Sequence, residues 1–426
     1  MLKAYEYRIY PTPIQEEIFN QTLGLCRLYW NIIVDNKNKD LSFKIEGYKP
    51  IFEKYRPEAL EWIKEASCSI PLSQMWSDVR GAYGNFFKSC KGERKGKFVK
   101  PPKKKSKKNP KDSFRYSCSN CEPKIDKNGL YLTKKLGYID IRSNCRFCEG
   151  KWKNITFRRT KTGKWFVKIC VEKKDEKKNK NGKVIAIDWN CRSDSFLTMN
   201  DGTKVKCPEF FAKSERQLNH QMRALSRKMY QPFFEKYGRM PDLTNIQDKI
   251  KFKELLLNPS KNLEKQRLKV AKLQEHISWQ RKDWLHKLSR DICNLYETVV
   301  VEDINLQNMA SNLGHGRAVS EQGFGMFRQM IAYKGNLVKV NPKNTSKTCH
   351  ICGFINPQVK EGVFEWDCPI CHNHHDRDIN ASINILRKYI EKYNVVGWEL
   401  TEDNACGGVQ STPMKQENEL TSTYRL

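Results

Sequence analysis

The sequence lacks an apolar run of the length that a bilayer-spanning helix needs, about 20 residues. Its first residues, MLKAYEYRIYPT, also lack the charged-then-apolar pattern of a secretory signal peptide. No stretch sets Lys and Arg on one helix face against Trp, Phe and Leu on the other, the pattern typical of a membrane-surface helix. We therefore expect a soluble cytoplasmic protein, nucleoid-associated in a prokaryote, with no membrane partner.

Acidic residues are too few to balance the basic ones. The 426-residue chain has 78 Lys and Arg against 48 Asp and Glu, a formal net charge of +30. Since each phosphate neutralised by Lys or Arg releases condensed counterions, this excess predicts a nucleic acid partner. The length, together with 38% hydrophobic residues, indicates two or three packed domains rather than one.

Cysteines are numerous, but a reducing compartment argues against a disulfide framework. Cys349, Cys352, Cys368 and Cys371 have the spacing C-x2-C-x15-C-x2-C. Four thiolates at this spacing fill a tetrahedral shell and leave no open position, so we predict a structural zinc ion rather than a catalytic one. We interpret the histidines nearby as surface or phosphate-contacting residues: His350, His372, His374 and His375.

A second quartet has the spacing C-x2-C-x23-C-x2-C and comprises Cys118, Cys121, Cys145 and Cys148. The first pair follows the strand pattern SFRYS, and the second follows YIDIR. Neighbouring strands would bring the two pairs together, so we predict a second structural zinc ion here. The alternative is that all four are ordinary loop and core thiols.

Changes in hydrophobic periodicity divide the amino-terminal half into four kinds of segment. Residues 2–10 alternate like a strand, and Thr12-Pro13-Ile14-Gln15 predicts a helix start with a capping box. Helical spacing follows, and then residues 91–112, which are rich in Lys and Pro and predict either a solvated linker or a segment that contacts a nucleic acid backbone. Short alternating runs in residues 113–172 predict a small antiparallel barrel or sandwich, which the first strand could join.

Two apolar runs in the carboxyl-terminal half each end in a carboxylate, at Asp188 and at Glu302, and Asp378 begins a helical pattern. Taken singly, these acids are as well explained as a turn residue, a surface acid and an N-cap. Taken in order, they favour an RNase H-like nuclease, because converging carboxylates hold two Mg²⁺ ions for phosphodiester hydrolysis. Long basic helices are predicted between the two runs, interrupted by an irregular stretch at residues 229–258.

Several segments, in this order, resemble the TnpB family of transposon-encoded (OrfB-type) proteins, which is related to the compact type V CRISPR nucleases. They are KAYEYRIYPTPIQ, DSFRY, VIAIDWN with LTMNDGT, QRKDWLHKLSR, VVVEDINLQNM, and NTSKTCHICG with WDCPICHNHHDRDINASINIL.

The resemblance implies an α+β multidomain protein. It would have an oligonucleotide-binding-like wedge β-barrel with an inserted helical recognition domain, and a RuvC (RNase H-like) nuclease domain interrupted by a zinc ribbon. The implied boundaries are 1–12 and 96–175 for the barrel, 13–95 for the helical domain, 183–341 and 373–395 for the nuclease, 342–372 for the ribbon that binds the target nucleic acid, and 396–426 for a disordered tail.

The resemblance also implies an RNA-guided DNA endonuclease that binds a guide RNA, recognises a short motif beside its duplex DNA target, and cuts with Mg²⁺. By motif, the catalytic acids are Asp188, Glu302 and Asp378, the second acid of DRD, with Asp376 as the competing candidate. Family members often carry Gly where this chain has Asn190. The predicted nucleic-acid contacts are Gln74, Arg115, Arg281, Lys282 and Arg377, with Lys103 to Lys108 and Lys287 as further contributors to the charge.

Two other functions stay open at this point. A cleavage-deficient RNA-guided DNA-binding regulator should have lost one of the acids, yet all three are present. A transposition-associated DNA-binding protein would use the amino-terminal helices and the ribbon; a tyrosine or serine transposase would also need a covalent nucleophile with its positioning residues, and the sequence shows no such set. A discrete co-purifying RNA would separate the guided functions from the unguided one.

Overall fold

The structure, a computed structural model, describes a set of ranges: 2–66, 68–107, 113–119, 123–141, 150–173, 181–190, 195–306, 308–309, 322–360 and 362–393. The chain divides into two units, Met1–Glu176 and Lys177–Leu426, each with mixed α/β content and its own buried core. Within those ranges no helix combines the length and the apolar character needed to cross a bilayer.

Helices of the first unit come in one insertion between the first two strands. Strand β1 (Leu2–Tyr10) is followed by four helices: α1 (Pro13–Lys39), α2 (Tyr48–Tyr55), α3 (Ala59–Ala66) and α4 (Ser69–Cys90). The predicted capping box at Thr12 and Gln15 is present at the start of α1. The Gln15 amide also donates to the backbone carbonyls of Leu136 and Tyr138, so the cap fastens the helix to the sheet.

The sheet of the first unit has seven strands in the order β2-β6-β7-β1-β5-β4-β3. Strand β1 pairs antiparallel with β7 from Leu2 opposite Glu172 to Ile9 opposite Trp165, so the first strand does join the sheet across the helical insert. Phe19 of α1 packs against three aromatic rings of the sheet, 5.0 to 5.4 Å between ring centroids. The remaining strands are β2 (Ser113–Ser117), β3 (Lys124–Asp126), β4 (Gly129–Tyr131), β5 (Tyr138–Ile141), β6 (Lys151–Arg159) and β7 (Trp165–Glu172).

The Lys- and Pro-rich segment is mostly exposed where the structure describes it, as predicted for a solvated linker, and it is also attached to α1 at Lys103 and Lys105. The side chain of Asn31 pairs with the backbone of Lys105 in both directions, at 2.7 and 2.9 Å. The Trp30 indole donates to the Lys103 carbonyl at 2.9 Å. Because side chains of α1 supply these hydrogen bonds, the segment needs no core of its own to be ordered.

The second unit contains a five-stranded sheet in the order β10-β9-β8-β11-β12. The strands are β8 (Val184–Trp189), β9 (Ser195–Met199), β10 (Lys204–Lys206), β11 (Thr298–Glu302) and β12 (Asn336–Val340). Strands β8, β11 and β12 are parallel to one another. Strand β9 is antiparallel to β8, and β10 is antiparallel to β9. The carboxyl ends of β8 and β11 therefore lie side by side at one edge of the sheet.

Helices cover both faces of this sheet, which explains why its central strands are apolar at consecutive positions. Ile187 and Val301 face a core shared with α7 (Lys261–Leu295) and α8 (Phe324–Lys334). Ala186 and Val300 face the opposite core, shared with α9 (Arg377–Tyr393). Since side chains alternate along a strand, residues in phase with Ala186 and Val300 point toward α9.

The stretch at residues 229–258 is helical at 229–237 and 246–255, so the prediction that it is irregular is right only for the residues between and after these helices. Helix α5 (Glu209–Tyr237) continues through Pro232, and α6 (Ile246–Leu255) follows. Phe233 is fully buried, and the Tyr230 ring stacks on Phe252 of α6 with centroids 5.2 Å apart. This aromatic packing outweighs the loss of one backbone hydrogen bond at Pro232, and Gly238, with φ at 66°, ends the helix.

Candidate active site and zinc ribbon

The three predicted acids come from three elements of the second unit. Asp188 lies near the end of β8, and Glu302 is the last residue of the adjacent parallel strand β11. Both are in phase with the residues that face α9, whose first turn carries Asp378. Strand register and helix packing thus place all three at one edge of the sheet.

Electrostatics show how closely these acids interact. Asp188 is half-buried, and desolvation together with the neighbouring Glu302 and Asp378 carboxylates raises its pKa well above the ordinary value, against a smaller opposing effect of Arg377. Desolvation also raises the pKa of Glu302, opposed by a hydrogen bond from Thr345 and by the charge of Lys388. Carboxylates close enough to raise one another's pKa are suited to binding cations.

The surroundings of Asp376 and Asp378 differ. Asp376 caps α9, since its carboxylate accepts from the backbone N–H groups of Asp378 at 3.0 Å and Ile379 at 3.1 Å, and it forms an ion pair with Lys204. Asp378 is 4% exposed and acts on the pKa of Asp188. The capping role therefore belongs to Asp376, and this geometry supports Asp378 as the third acid.

The spacing of the acids differs from that of a single-ion site. In the described part of the chain, the four ribbon cysteines are the only group of three or more Asp, Glu, His or Cys residues whose ligand atoms all lie within 4.8 Å of one another. The three acids do not form such a group, so their ligand atoms do not all lie within that distance of one another.

The cysteines of the ribbon do converge. The Sγ atoms of Cys349 and Cys371 are 3.6 Å apart, and those of Cys352 and Cys368 are 3.5 Å apart. Four sulfurs each about 2.3 Å from a tetrahedral zinc ion would be separated by about 3.8 Å, so the quartet fits structural zinc. The short hairpin β13 (Glu365–Asp367) and β14 (His374–Asp376) carries the second knuckle and leads directly into α9.

The prediction of surface histidines is wrong for His375 and does not describe His350. His375 is 2% exposed and lies against the Trp366 and His350 rings, at 4.7 and 4.9 Å between centroids. Its Nε2 lies 3.1 Å from the Cys349 sulfur. His350 is half-buried, and its Nδ1 lies 3.0 Å from Oδ1 of Asn380. Both rings thus pack the knuckle against the nuclease core, whereas His372 and His374 are exposed.

Comparisons with known proteins agree with this arrangement. Three sequence families match parts of the chain: the OrfB_IS605 helix-turn-helix domain at residues 1–41, OrfB_IS605 "Probable transposase" at 242–313, and the Cas12f1-like TNB domain at 324–385. A candidate RNA-guided DNA endonuclease of Streptomyces pristinaespiralis is 29% identical over 90% of this chain and 88% of its own length. InsQ of Escherichia coli K12, described in the same way, is 26% identical over 90% and 92%. A TnpB-like protein of Methanocaldococcus jannaschii is 30% identical over 28% of this chain and 29% of its own length.

These matches make the chain similar to TnpB-like proteins, with the family models covering separate parts of it.

Asn190 replaces the Gly that TnpB proteins often have after the first acid. It is not among the non-glycine residues with positive φ in the described ranges, so a side chain is accommodated there without backbone strain. Its amide donates to Ser195 at 2.7 Å and Thr198 at 2.9 Å. The residue thus links the end of β8 to β9, two positions after Asp188.

The predicted nucleic-acid contacts lie in different surroundings. Arg115 forms a 2.5 Å ion pair with Asp78, and Arg377 lies 3.4 Å from the Asp378 carboxylate. Gln74 is half-buried on α4, and Arg281 and Lys282 lie on α7. Of these five, the structure brings only Arg377 to the acids.

A basic cavity of about 320 Å³ opens beside Thr345 and Arg377, which contact the acids. The described residues that line it include three cationic side chains, from Lys347, Lys360 and Arg377, and no acidic one. Thr345, the hydrogen-bond partner of Glu302, lines it too. A pocket with this charge beside the acids is suited to a phosphate group of a nucleic acid strand.

The second cysteine quartet falls mostly outside the described residues, which include Cys118 alone of its four members. The prediction of a second zinc ion therefore stays a prediction.

Sequence reasoning missed several polar residues around the site, among them Thr345, Asn380, Asn384 and Lys388. Asn380 and Asn384 are buried and four residues apart in a helix whose apolar face packs on the sheet. Polar residues at helical spacing among apolar ones, as in INASINIL, are the signal that could have found them, because buried amides need partners.

Proposed function

We propose that this protein is an RNA-guided DNA endonuclease: it binds a guide RNA, recognises a short motif beside its target in duplex DNA, and hydrolyses phosphodiester bonds. The main support for this proposal is that Asp188, Glu302 and Asp378 lie near one another at the edge of a sheet with the strand order β10-β9-β8-β11-β12. That strand order, with three antiparallel strands followed by two parallel ones, is the arrangement of an RNase H-like (RuvC) nuclease domain. The curated relatives described as candidate RNA-guided DNA endonucleases support the same function.

The acids of the site fit Mg²⁺. Bound there, two Mg²⁺ ions would supply activation of the attacking water and stabilisation of the leaving oxygen. Asp188, Glu302 and Asp378 would hold the ions through their carboxylate oxygens. The protein's own contribution is to hold three carboxylates together against their mutual repulsion, which buried packing around α9 makes possible.

The chain's basic residues would position the strand that is cut. Arg377 lies between the Asp378 carboxylate and the basic cavity, where Lys347 and Lys360 also point. A phosphate neighbouring the scissile bond would be held there by charge, while the acids hold the reacting phosphate. The ribbon's zinc ion would be structural, because four thiolates leave no position for a substrate.

The proposed domain roles follow the sequence boundaries. Residues 1–12 and 96–175 would form the wedge barrel, 13–95 the helical recognition domain, and 183–341 with 373–395 the RuvC-like nuclease, with the ribbon at 342–372. One departure from these boundaries is supported: Lys103 and Lys105 are attached to α1, which favours placing that part of the basic segment with the helical domain.

The test is to purify the protein from its native locus, sequence the RNA that co-purifies, and reprogram that RNA against a plasmid carrying a randomised sequence beside the target. We expect a discrete RNA and Mg²⁺-dependent cleavage of a subset of plasmids that share one adjacent motif. Asp188→Asn, which preserves the side chain's shape and removes its charge, should bind the target and leave it intact.

Two results would contradict the proposal in different ways. Target binding without cleavage by the unaltered protein would favour the cleavage-deficient regulator. Recovery of protein without any discrete RNA would favour an unguided DNA-binding protein.

A further inference from the structure

Thr345 is buried in the loop that follows β12, and its hydroxyl donates to the Glu302 carboxylate. The carbonyl of Pro342, 3.1 Å away, is a second acceptor within reach. A hydroxyl has one proton to donate, and a charged carboxylate is the stronger acceptor. Thr345 therefore restrains one oxygen of Glu302.

Three side chains of α9 hold this loop, and they recur every four residues: Asn380, Asn384 and Lys388, hereafter the donor stripe. The Asn384 amide donates to the carbonyls of Thr345 at 2.9 Å and Thr348 at 2.6 Å. The Asn380 amide donates to Thr348 at 2.8 Å. Lys388 donates to the carbonyl of Asn341 at 2.9 Å.

The donor stripe places its residues on one face of α9, because positions four apart in a helix lie above one another. The same helix carries Asp378 two residues before Asn380 and six before Asn384. The loop and the helix are thus joined by a ladder of side-chain hydrogen bonds, of which the bond from Asn384 to Thr345 is buried and those to Thr348 are partly buried. Thr345 extends the ladder to Glu302. Glu302 on β11 is thus linked to Asp378 on α9 through Thr345, Asn384 and the backbone of α9.

We propose that Thr345 and Asn384 are positioning residues, which set Glu302 at the separation from Asp378 that divalent-cation binding requires. This inference rests on the proposed nuclease function only in taking those acids as metal ligands. A simpler explanation is that the amides satisfy buried carbonyls and stabilise the fold. The two explanations differ in whether cation affinity depends on the Thr345 hydroxyl in a protein that is still folded.

The experiment uses the full chain, stripped of nucleic acid at high salt, and titrates it with Mn²⁺ while electron paramagnetic resonance measures the free ion. Asp188→Asn gives the baseline for binding elsewhere. We expect Thr345→Val, which keeps the shape and loses the hydroxyl, to weaken binding at the acid site by about tenfold or more, as for loss of one hydrogen bond to a charged group. Thr345→Ser should restore the affinity to near that of the unaltered protein.

Asn384→Leu, of similar volume but without a donor, should weaken Mn²⁺ binding in the same direction. Its matched control is Ser382→Ala: Ser382 is fully buried on α9, but its hydroxyl donates at 2.7 Å to the Ile379 carbonyl of its own helix. We expect this control to lower the melting temperature and leave Mn²⁺ affinity unchanged.

Cleavage provides a second readout. For Thr345→Val the Mg²⁺ concentration at half-maximal rate should rise, while guide and target binding stay unchanged. Equal Mn²⁺ affinity in Thr345→Val and the unaltered protein would overturn the inference, as would a Thr345→Ser variant as weak as Thr345→Val. A protein that binds Mn²⁺ at the acids and never cleaves would contradict the proposed function and leave this inference standing. If Thr345→Val melts below the assay temperature, Thr345→Ala replaces it with the same expected result.

Discussion

Single residues two positions apart can have unrelated functions, and Asp376 and Asp378 are such a pair. The sequence motif DRD presents both as candidates for the third acid. In the structure, Asp376 is engaged by two backbone N–H groups and by Lys204, and these hydrogen bonds hold its pKa below the ordinary value even though burial opposes them. Asp378 lies beside Asp188 instead.

We predict that Asp378→Ala abolishes cleavage and leaves guide and target binding unchanged, as do Asp188→Ala and Glu302→Ala, because these acids would bind metal rather than nucleic acid. Asp376→Ala should retain measurable cleavage and lower the free energy of unfolding by about 0.5–2 kcal/mol, the usual range for a lost N-cap.

Asp376→Asn is the control for this pair, since Asn caps helices as well as Asp and loses only the ion pair with Lys204. It should be more stable than Asp376→Ala. An inactive Asp376→Ala together with an active Asp378→Ala would show that the third acid is assigned wrongly. Plasmid cleavage and chemical denaturation measure the two effects separately.

At the scale of elements, helix α6 is fixed to the end of α5 by a buried carboxylate. Asp248 of α6 accepts two hydrogen bonds from the Arg239 guanidinium, at 2.5 and 2.8 Å, and one from the Asp242 backbone N–H at 2.9 Å. These donors lower the pKa of Asp248 to about 2. Tertiary hydrogen bonds of this kind make up for the weak helical signal of residues 229–258.

We predict that the contribution of Asp248 to stability depends on pH with a definite sign. Its pKa is lower in the folded state than the value of about 3.9 expected when unfolded. The stabilisation is therefore complete above about pH 4 and is lost as the pH falls toward 2. Other acids titrate in the same window, so the informative quantity is a difference between two proteins.

The measurement is the difference in melting temperature between the unaltered chain and Asp248→Asn across this range. The unaltered chain should melt higher at pH 5, and the gap should close on acidification. A gap that is constant from pH 5 to pH 2, or that widens, would contradict the assignment.

The zinc ribbon is the element for which the sequence and the structure agree most directly. Four cysteine sulfurs converge at Cys349, Cys352, Cys368 and Cys371. Of the second quartet, the described residues include only Cys118. Its spacing alone predicts a metal ion.

We predict two zinc ions per chain in the purified protein, because both quartets have the spacing of structural four-cysteine sites. Changing Cys118 and Cys121 to Ser should reduce the content to one. Elemental analysis gives the stoichiometry, and the matching double change of Cys349 and Cys352 should also leave one zinc ion while lowering the melting temperature. One zinc ion in the unaltered protein, unchanged in the first double variant, would rule out the second site.

The net charge of +30 is a property of the whole molecule, since basic residues occur throughout both units. Some of them are engaged within the protein: Lys104 pairs with Asp35 at 2.5 Å, and Lys287 with Asp283 at 2.7 Å. Charge counted from the sequence therefore overstates what is available for phosphates.

We predict that guide-RNA affinity falls steeply with salt, with a slope on logarithmic axes of about −0.7 for each single-strand phosphate contacted. Lys103→Gln should reduce the slope by the contribution of about one phosphate contact. Lys103 is exposed, and its carbonyl holds the segment in place. Lys104→Gln, which removes a lysine paired with Asp35, should have a smaller effect. Filter binding at several salt concentrations measures the slopes, and a flat dependence would contradict an electrostatic interface.

The sequence by itself determined the features that depend on local pattern or on fixed spacing. A capping box needs only residues three apart, as at Thr12 and Gln15, and both are where the pattern predicts. Central strands buried on both faces must be apolar at consecutive positions. This pattern predicted β8 and β11 and drew attention to the acids at their ends. The cysteine ribbon followed from the reach of four thiolates around one ion.

The tertiary structure decided what depends on side chains distant in sequence. Only the packing of α9 on the sheet shows that Asp188 and Glu302 share the face where Asp378 lies, and that Asp376 is a cap. Only the three-dimensional position of His375, beside Cys349, shows that it is buried rather than at the surface. The physical reason is that burial and hydrogen-bond partnership are set by neighbours brought from elsewhere in the chain, as with Thr345 and Glu302, 43 residues apart.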